Sequence, residues 1–279
     1  MKIAVTGANG FIGRHVLAAL EKKGIELVVV TRSEAQPDGV SARNCVSLDI
    51  YGEESDVFEQ LGRPDALIHL AWGGLPNYGS LHHFETELPQ QYRFLQRLIK
   101  SGLQNLTVTG TCFEYGMMSG SLIETVTQPP SNPYGFAKDA LRRQLEFLQE
   151  KTPFNLVWTR LFYLYGQGQS KTSLLPQLKH AVEQNEEYFN MSGGEQLRDY
   201  LPVEAVADYL VDLTLMKADI GVVNVCSGQP TSVRNLVEGW IREHGWKIKL
   251  NLGHFPYPTY EPMAFWGNMS KLQKLLESQ

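Results

Sequence analysis

The chain has few cysteines, and their arrangement excludes two kinds of structural support. Its 279 residues include only Cys45, Cys112 and Cys226, which are scattered and odd in number. No two of them form a pair separated by two residues, so the sequence predicts neither a disulfide framework nor a cysteine-held zinc site. We therefore expect the fold to rest on an ordinary hydrophobic core, with no metal.

Long apolar runs and an excess of positive charge are also missing. No apolar run reaches the length of a membrane span, and no signal peptide precedes the first predicted strand. The formal net charge of -5 gives no reason to expect a nucleic acid or an anionic membrane surface as a partner. The sequence thus predicts a cytoplasmic protein that binds neither nucleic acid nor membrane.

Residues 2–13, KIAVTGANGFIG, combine a strand with a glycine-rich turn. Lys2–Thr6 is short, apolar and rich in β-branched residues, which is typical of a buried strand in a parallel sheet. Gly7, Gly10 and Gly13 follow, and apolar residues at helical spacing come next. Glycines permit a tight turn and the close approach of a ligand, and the helix N-terminus suits a pyrophosphate. The stretch predicts a dinucleotide-binding turn, with an ordinary strand–helix turn as the alternative.

Strand and helix patterns alternate along most of the chain. We predict further strands over residues 26–31, 46–50, 65–72, 106–111, 155–161 and 222–225, and helices over 84–100, 134–148, 174–183, 204–215 and 236–243. This alternation predicts an α/β fold with a doubly wound parallel sheet of the Rossmann type. We assign residues 1–165 to the dinucleotide-binding domain, to which 199–226 return. Residues 166–198 and 227–279 form a smaller, C-terminal substrate-binding lobe.

The residue that ends the second predicted strand bears on the choice of cofactor. In a dinucleotide fold this position lies beside the adenine ribose, where an acid binds the 2′-hydroxyl and an arginine accommodates a 2′-phosphate. Arg32 occupies it. The sequence therefore favours NADP(H) and leaves NAD(H) as a second option; a solvated loop arginine is the alternative interpretation.

Tyr134 and Lys138 lie four residues apart on a predicted helix and so share one face. A phenol has a pKa of about 10, and a neighbouring ammonium favours the phenolate and lowers that pKa toward a useful range. Thr111 ends a predicted sheet strand, at the edge where ligands of such folds bind, and offers a hydroxyl to the same reacting oxygen. The pair alone is weak evidence, because such pairs are common on helices.

Several motifs occur together: TGANGFIG, Asp49, HLAW, TGTCFEYG, PYGFAK and RDYLPVEAVADYL. In this combination the chain resembles the extended short-chain dehydrogenase/reductase family of nucleotide-sugar epimerases, dehydratases and reductases. The resemblance implies that Thr111, Tyr134 and Lys138 are catalytic and that Arg198 meets the substrate diphosphate. It also implies a cofactor site formed by Gly7, Asn9, Gly10, Phe11, Ile12, Gly13, Arg32, Asp49, Ile50, Leu70, Ala71, Tyr134 and Lys138.

The chain departs from the family's pattern at several positions. Glu87 stands nearest to a common asparagine of the family, and Tyr163 stands where a second asparagine often follows the sixth strand. Cys112 and Phe113 replace the Asp–Glu pair of the dehydratases, so no acid–base pair is evident for the elimination of water. The FEYG and YGFAK runs look most like the smaller reductases that act on dTDP- or CDP-linked 4-keto-6-deoxyhexoses.

Histidines and aromatic residues near these motifs have two interpretations each. His82 and His83 are adjacent and should point apart, which argues against a metal site, and His69 is expected in the core or behind the site. Aromatic rings can flank a sugar or a base, although core packing explains them equally well. The candidate substrate-binding aromatics are Trp72, Phe113 and Phe162.

The resemblance implies an NADPH-dependent reductase of a nucleotide-linked 4-keto-6-deoxyhexose, such as dTDP-4-dehydro-6-deoxyglucose, in deoxysugar or surface polysaccharide biosynthesis. Tyr134 would donate the proton, Thr111 would bind the reacting oxygen, and Lys138 would tune Tyr134. An NAD-dependent nucleotide-sugar 4-epimerase that uses the same residues is the alternative. A non-catalytic regulator is a third hypothesis, but such regulators can lose the Tyr–Lys pair that this chain keeps. The expected partner is a nucleotide-diphosphate sugar, and a homodimer is allowed.

Overall fold

Parallel strands form the centre of this computed structural model, which describes residues 1–32, 44–52, 56–126 and 128–278. In chain order the strands are β1 (Lys2–Thr6), β2 (Glu26–Thr31), β3 (Cys45–Ser47), β4 (Ala66–His69), β5 (Asn105–Thr111), β6 (Gly120–Leu122), β7 (Asn155–Leu161), β8 (Tyr163–Tyr165), β9 (Tyr188–Asn190), β10 (Leu197–Pro202), β11 (Gly221–Val225), β12 (Pro230–Ser232), β13 (Lys249–Asn251) and β14 (Phe265–Gly267). The helices are α1 (Phe11–Lys22), α2 (Val57–Gln60), α3 (Leu88–Lys100), α4 (Pro133–Gln149), α5 (Leu174–Glu183), α6 (Val203–Leu215), α7 (Val233–His244) and α8 (Ser270–Glu277).

The described part of the central sheet has seven strands in the order β11-β7-β5-β4-β1-β2-β3, and every neighbouring pair is parallel. The chain moves outward from β1 to β3 on one side and then from β4 to β11 on the other. The order therefore reverses between β1 and β4, and folds of this kind bind ligands in the crevice at such a reversal. This topology confirms the predicted doubly wound α/β fold.

Helices cover both faces of the sheet, which explains why successive residues of β1 are apolar. Ile3 and Val5 of β1 pack into a core with α1 and α6, whereas Ala4 between them packs into a second core with α3 and α4. All three side chains are fully buried. A strand buried on both faces lacks the alternation of polar and apolar residues that marks a half-exposed strand.

The segment before α3 differs from the predicted helix. The sequence predicts a helix from Phe84, but α3 begins at Leu88 and a π-helical turn, His83–Glu87, precedes it. Pro89 lies in the first turn of α3, where its missing N–H costs no hydrogen bond. The wide turn places Glu87 inward, where it is almost fully buried.

The C-terminal half supplies both a strand of the central sheet and a set of small sheets. β11 extends the central sheet beside β7, and α6 packs in the same core as α1. The smaller sheets are β12-β10-β8, β13-β9 and β14-β6. α5 and α7 share a separate apolar core. No helix in the described ranges is both long and apolar enough to cross a membrane.

Candidate active site

The glycine-rich turn between β1 and α1 packs tightly against the end of β4. Gly7 has a φ of 71°, and a Cβ there would lie 2.7 Å from the Ala71 backbone N. A Cβ on Gly13 would collide with the Gly7 carbonyl oxygen. Gly10 is the N-cap residue of α1, whose first N–H groups lack intrahelical partners. Glycine thus lets the turn pack directly on the end of β4, and the free N–H groups at the start of α1 suit a dinucleotide pyrophosphate.

The other predicted cofactor residues lie at the carboxyl ends of neighbouring strands. Arg32 follows β2 and is exposed, Asp49 follows β3, and Leu70 and Ala71 follow β4. The Asp49 carboxylate accepts a hydrogen bond from the Tyr51 backbone N–H at 3.0 Å. Asn9 and Gly10 are exposed, whereas Phe11, Ile12 and Ile50 are partly or fully buried. These residues line one edge of the sheet, where a dinucleotide would lie along β1 to β4.

The structure brings Thr111, Tyr134 and Lys138 together at the adjoining end of β5. The Thr111 side chain lies near enough to the Tyr134 hydroxyl to lower the pKa of Tyr134. Lys138 Nζ donates to the Thr109 carbonyl at 2.9 Å and lies 3.9 Å from the Trp72 ring centroid, which is a cation–π contact. The same nitrogen lies 6.0 Å from the Tyr134 ring centroid. Residues predicted from one spacing and one strand end thus form a single cluster.

Local sequence explains why α4 presents Tyr134 at this point. Asn132 caps the helix by accepting the Gly135 N–H at 2.8 Å, and Pro133 occupies the first turn. A Cβ on Gly135 would lie 2.6 Å from the Phe113 carbonyl oxygen. Glycine therefore lets the start of α4 rest on the 3-10 turn at Cys112–Tyr115, which sets the phenol beside Thr111.

Burial controls the ionisation of Tyr134 and Lys138. It raises the pKa of Tyr134 well above its ordinary value, and the nearby Tyr78, Glu114 and Cys112 add to this, while the Thr111 side chain opposes it. The expected lowering of the Tyr134 pKa by Lys138 is wrong for this geometry. Burial also lowers the pKa of Lys138 to about 7, although Glu114 and Glu87 oppose the change. At neutral pH Tyr134 is a protonated phenol, as a proton donor must be.

Aromatic rings surround the Tyr134 ring. The ring centroids of His83, Tyr78, Trp72 and Phe113 lie 5.2, 5.6, 6.1 and 6.4 Å from it, respectively. The predicted residues Trp72 and Phe113 therefore border the candidate site. His83 accepts the Trp72 indole N–H at Nδ1, 3.1 Å away, so its other ring nitrogen donates to the Asn77 carbonyl at 2.8 Å.

Two aromatic positions differ from what the sequence indicated. Phe162 packs against Tyr115 and Phe265, with centroids 6.3 Å from each, in a buried cluster rather than around Tyr134. Tyr260, which sequence reasoning missed, packs against Tyr78 and Phe113 at 6.3 and 6.2 Å. Core packing explains Phe162, whereas Tyr260 adds a further ring to the aromatic cluster around Tyr134.

A buried carboxylate supports Thr111 from behind. Glu114 accepts the Thr111 backbone N–H at 2.8 Å, and the Thr111 hydroxyl accepts the Phe113 N–H at 3.3 Å, which together form a capping box. Glu114 also accepts the Trp158 indole N–H at 3.0 Å and the Arg160 Nε–H at 2.8 Å. The Thr-x-x-Glu spacing in TCFE is the sequence signal for this cap. Nothing in the local sequence predicts the contacts of Trp158 and Arg160 with Glu114.

Arg198 lies in β10 and is almost fully buried in an ion pair. Its guanidinium contacts the Glu261 carboxylate at 2.8 Å and donates to the Leu197 and Met263 carbonyls at 2.8 and 3.2 Å. The Tyr163 hydroxyl donates to the same carboxylate. The residue predicted to meet a substrate diphosphate thus already has an anionic partner, which sequence reasoning did not foresee.

The neighbouring histidines do not form a metal site with each other. His82 Nε2 lies 3.1 Å from a Glu87 oxygen, whereas His83 is bonded to Trp72 and Asn77. Burial lowers the pKa of His83. Across the described ranges no group of three or more histidine, cysteine, aspartate or glutamate side chains is placed to hold a metal ion.

A glycine-lined dinucleotide turn beside a threonine, a tyrosine and a lysine defines an oxidoreductase-type enzyme that uses a nicotinamide dinucleotide. Comparison with known proteins agrees: the chain belongs to the NAD dependent epimerase/dehydratase family, whose model matches residues 3–226. This confirms the family that the sequence motifs resemble, and it confirms that the protein is an enzyme of the extended short-chain dehydrogenase type.

Two curated relatives and one solved structure extend the comparison. The chain is 32% identical to dTDP-6-deoxy-L-talose 4-dehydrogenase (NAD(+)) of Aggregatibacter actinomycetemcomitans, over 96% of this chain and 99% of that protein. It is 24% identical to GDP-6-deoxy-D-talose 4-dehydrogenase of the same organism, over 90% and 83% of the two chains. The structure of MoeE5 in complex with UDP-glucose and NAD has a TM-score of 0.82 and 26% identity, covering 99% of this chain and 92% of that one.

Proposed function

We propose that this enzyme interconverts the 4-keto and 4-hydroxy forms of a nucleotide-linked 6-deoxyhexose and works as a reductase. The observation that carries the proposal is the relative named as a dTDP-6-deoxy-L-talose 4-dehydrogenase, which matches almost the whole chain. A 4-dehydrogenase and a 4-ketoreductase act on the same two compounds in opposite directions. That relative's named activity therefore fits the reaction predicted from the FEYG and YGFAK motifs.

The site residues divide the chemistry between them. A nicotinamide dinucleotide, when bound, supplies or accepts the hydride. The Tyr134 hydroxyl, kept protonated by burial, donates a proton to the sugar oxygen in the reductive direction. Thr111 binds the same oxygen through its hydroxyl. Lys138, held by the Thr109 carbonyl and the Trp72 ring, places an amine that gains and loses its proton near neutral pH beside the pair. The aromatic cluster around Tyr134 excludes water from the reacting carbon.

NADP(H) is the cofactor that we propose, and the argument rests on Arg32. Its exposed side chain follows β2, where a guanidinium would pair with a 2′-phosphate. The dTDP-6-deoxy-L-talose 4-dehydrogenase is named with NAD(+), and MoeE5 was solved with NAD. NAD(H) is therefore the competing choice.

Incubation of the enzyme with NADPH and a dTDP-linked 4-keto-6-deoxyhexose is expected to consume NADPH in a 1:1 ratio to the sugar. The two sugars to test are the 4-keto form of dTDP-6-deoxy-L-talose and dTDP-4-dehydro-6-deoxyglucose. The product should carry a 4-hydroxyl, and NADH should support a lower kcat/KM than NADPH. Absorbance at the reduced nicotinamide band and chromatography of the nucleotide sugars measure both quantities. CDP- and GDP-linked analogues, tested in parallel, identify the preferred nucleotide.

The same assay separates the reductase from the epimerase. An epimerase returns its hydride in each cycle and leaves the reduced cofactor pool unchanged. We expect no interconversion of UDP-glucose and UDP-galactose with catalytic NAD. Interconversion without net oxidation of the cofactor would replace the reductase proposal by a 4-epimerase, and faster turnover with NADH would remove the proposed role of Arg32.

Removal of Arg198 is expected to weaken nucleotide-sugar binding by roughly 10- to 150-fold, because one charge-assisted hydrogen bond contributes about 1.5–3 kcal/mol. Since Arg198 also neutralises the buried Glu261, the variant to use is Arg198→Met combined with Glu261→Gln, which leaves no unpaired charge. Calorimetric titration with dTDP measures the affinity. Arg234→Met with Glu238→Gln removes an exposed pair on α7 and is the matched control.

Cofactor affinity should stay unchanged in both double variants. If the Arg198 variant binds dTDP as tightly as the wild-type protein, the diphosphate lies elsewhere and Arg198 is a structural residue of β10.

A further inference from the structure

Glu87 is a buried carboxylate on which three side-chain hydrogen-bond partners converge. The Tyr51 hydroxyl donates to its two oxygens at 2.8 and 2.9 Å, and the Gln91 amide donates at 2.8 Å. His82 Nε2 lies 3.1 Å away, and Gly73 packs closely against the carboxylate. Burial would raise the pKa of Glu87, but these bonds outweigh it and lower the pKa below its ordinary value. Glu87 is therefore ionised at neutral pH and only accepts hydrogen bonds.

A chain of hydrogen bonds leads from Glu87 to the cofactor edge of the sheet. Because Gln91 presents its NH2 group to Glu87, its carbonyl oxygen faces His69 Nε2 at 2.8 Å and accepts a hydrogen bond from the Nε2–H group. His69 Nδ1 then has no proton and accepts from the Thr6 hydroxyl at 2.8 Å. The Thr6 oxygen in turn accepts the Ala71 backbone N–H at 3.4 Å.

The neutral state of His69 makes this direction unambiguous. Burial, reinforced by the charge of Lys138, lowers the pKa of His69 to about 3. The ring therefore carries one proton at neutral pH, and one nitrogen donates while the other accepts. Glu87, which only accepts hydrogen bonds, lies at the far end of this series of hydrogen bonds and decides which His69 nitrogen carries the proton.

Both ends of the network touch the residues that form the cofactor site. Thr6 precedes Gly7, and Ala71 is the residue against which Gly7 packs. Tyr51 belongs to the Asp49 loop, since its backbone N–H donates to the Asp49 carboxylate. One carboxylate thus connects the ends of β1, β3 and β4, three of the four strands along which the dinucleotide would lie.

We propose that Glu87 is a positioning residue for cofactor binding, which fixes the direction of the hydrogen-bond chain through Gln91, His69 and Thr6 to Ala71. The inference rests on the dinucleotide site at the β1–α1 turn and not on the identity of the sugar. A group that merely filled the space would have no influence on the His69 tautomer.

A glutamine at position 87 would fill the same space but would reverse the direction of the hydrogen bonds toward His69. Its NH2 group would meet donors, and buried donors that face each other cost free energy. Rotation of the Gln91 amide would relieve that conflict, but it would present NH2 to His69. The ring proton would then move to Nδ1 and donate to Thr6, which reverses the chain and disturbs the Ala71 N–H.

The wild-type protein alone provides a first test. In 15N-histidine-labelled protein, His69 is expected to be the Nε2–H tautomer and to show no titration between pH 5 and 8. Assignment by loss of its signals in His69→Gln identifies it among the seven histidines. Observation of the Nδ1–H tautomer in the wild-type protein would overturn the proposal without any substitution at Glu87.

Glu87→Gln is expected to shift His69 to the Nδ1–H tautomer and to weaken NADPH binding by about 10-fold. The value of kcat at saturating cofactor should change much less than the affinity. Glu85→Gln, on the exposed side of the same π-helical turn, makes the same chemical change and should leave both readouts at wild-type values. NADPH fluorescence titration measures the affinity.

Glu87→Gln combined with Gln91→Glu provides a rescue. The carboxylate introduced at position 91 accepts from His69 Nε2 and from the new amide at position 87, so the direction toward His69 is restored. NADPH affinity should return to within about 3-fold of the wild-type value. Unchanged NADPH affinity in Glu87→Gln, or a double variant no better than it, would overturn the role of Glu87. Failure of the wild-type protein to bind NADPH or NADH would instead overturn the cofactor site.

Discussion

Tyr134→Phe is expected to lower kcat by about 100- to 10,000-fold while the protein stays folded and binds its cofactor. A positioned acid contributes a factor of this size to a proton transfer. Phenylalanine keeps the ring that packs against Trp72, Tyr78, His83 and Phe113, and it removes only the hydroxyl that faces Thr111. The effect should therefore appear in turnover and leave the melting temperature almost unchanged.

Three measurements on the Tyr134→Phe variant separate catalysis from folding: the steady-state rate with the 4-keto sugar, NADPH affinity and thermal unfolding. Tyr165→Phe is the matched control, because its ring packs against Trp240 in the C-terminal core rather than at the site. Retention of more than about a tenth of the wild-type rate by Tyr134→Phe would show that another group donates the proton.

The sequence predicted the parts of this site that depend on local patterns. The glycine spacing at residues 7–13 and the spacing of Tyr134 and Lys138 each lie within one strand–helix unit. The order of strands follows from the same alternation, because a parallel sheet with right-handed crossovers admits few topologies. Thr111 was placed by its position at the end of a strand together with the family resemblance.

Residues that act over long sequence separations could not be predicted in this way. Arg160 reaches Glu114 across 46 residues, and Tyr163 reaches Glu261 across 98. In the sequence pattern Glu87 looks like an ordinary helix residue, and only the π-helical turn in the structure shows that it lies inside the protein. Local periodicity reports which face of a helix is buried, but it carries no information about which partner a buried charge meets.

Glu114→Gln is expected to destabilise the protein by about 3–5 kcal/mol, because it leaves the buried guanidinium of Arg160 without its counter-charge. The Glu114 side chain is 0% exposed and that of Arg160 is 5% exposed, with 2.8 Å between Nε and the carboxylate. Burial opposes the charge of Arg160, but the Glu114 carboxylate raises the pKa of Arg160 above its ordinary value. The glutamine NH2 group would also face the N–H donor of Thr111, Trp158 or Arg160, and two donors that face each other form no hydrogen bond.

Equilibrium unfolding in urea at constant pH measures this loss. Glu238→Gln removes a carboxylate at the same 2.8 Å distance from Arg234, but that pair is largely exposed and joins positions i and i+4 of α7. Its expected cost is only about 0.3–0.5 kcal/mol, since solvent screens the charges. The large difference between two identical substitutions tests whether burial, rather than the ion pair as such, makes Glu114 important.

Glu114→Gln combined with Arg160→Met distinguishes an unpaired charge from lost packing. Arg142, which lies 4.0 Å from Glu114, keeps Asp139 and Glu146 as partners at 2.6 Å and needs no change. If the loss of stability comes from the unpaired Arg160 guanidinium, the double variant should recover at least half of the lost free energy of unfolding. The reason is that replacing a buried ion pair by apolar groups is often nearly neutral. A double variant less stable than Glu114→Gln would instead locate the cost in the hydrogen bonds to Thr111 and Trp158, and a proportional fall in kcat would then follow from the displaced Thr111 hydroxyl.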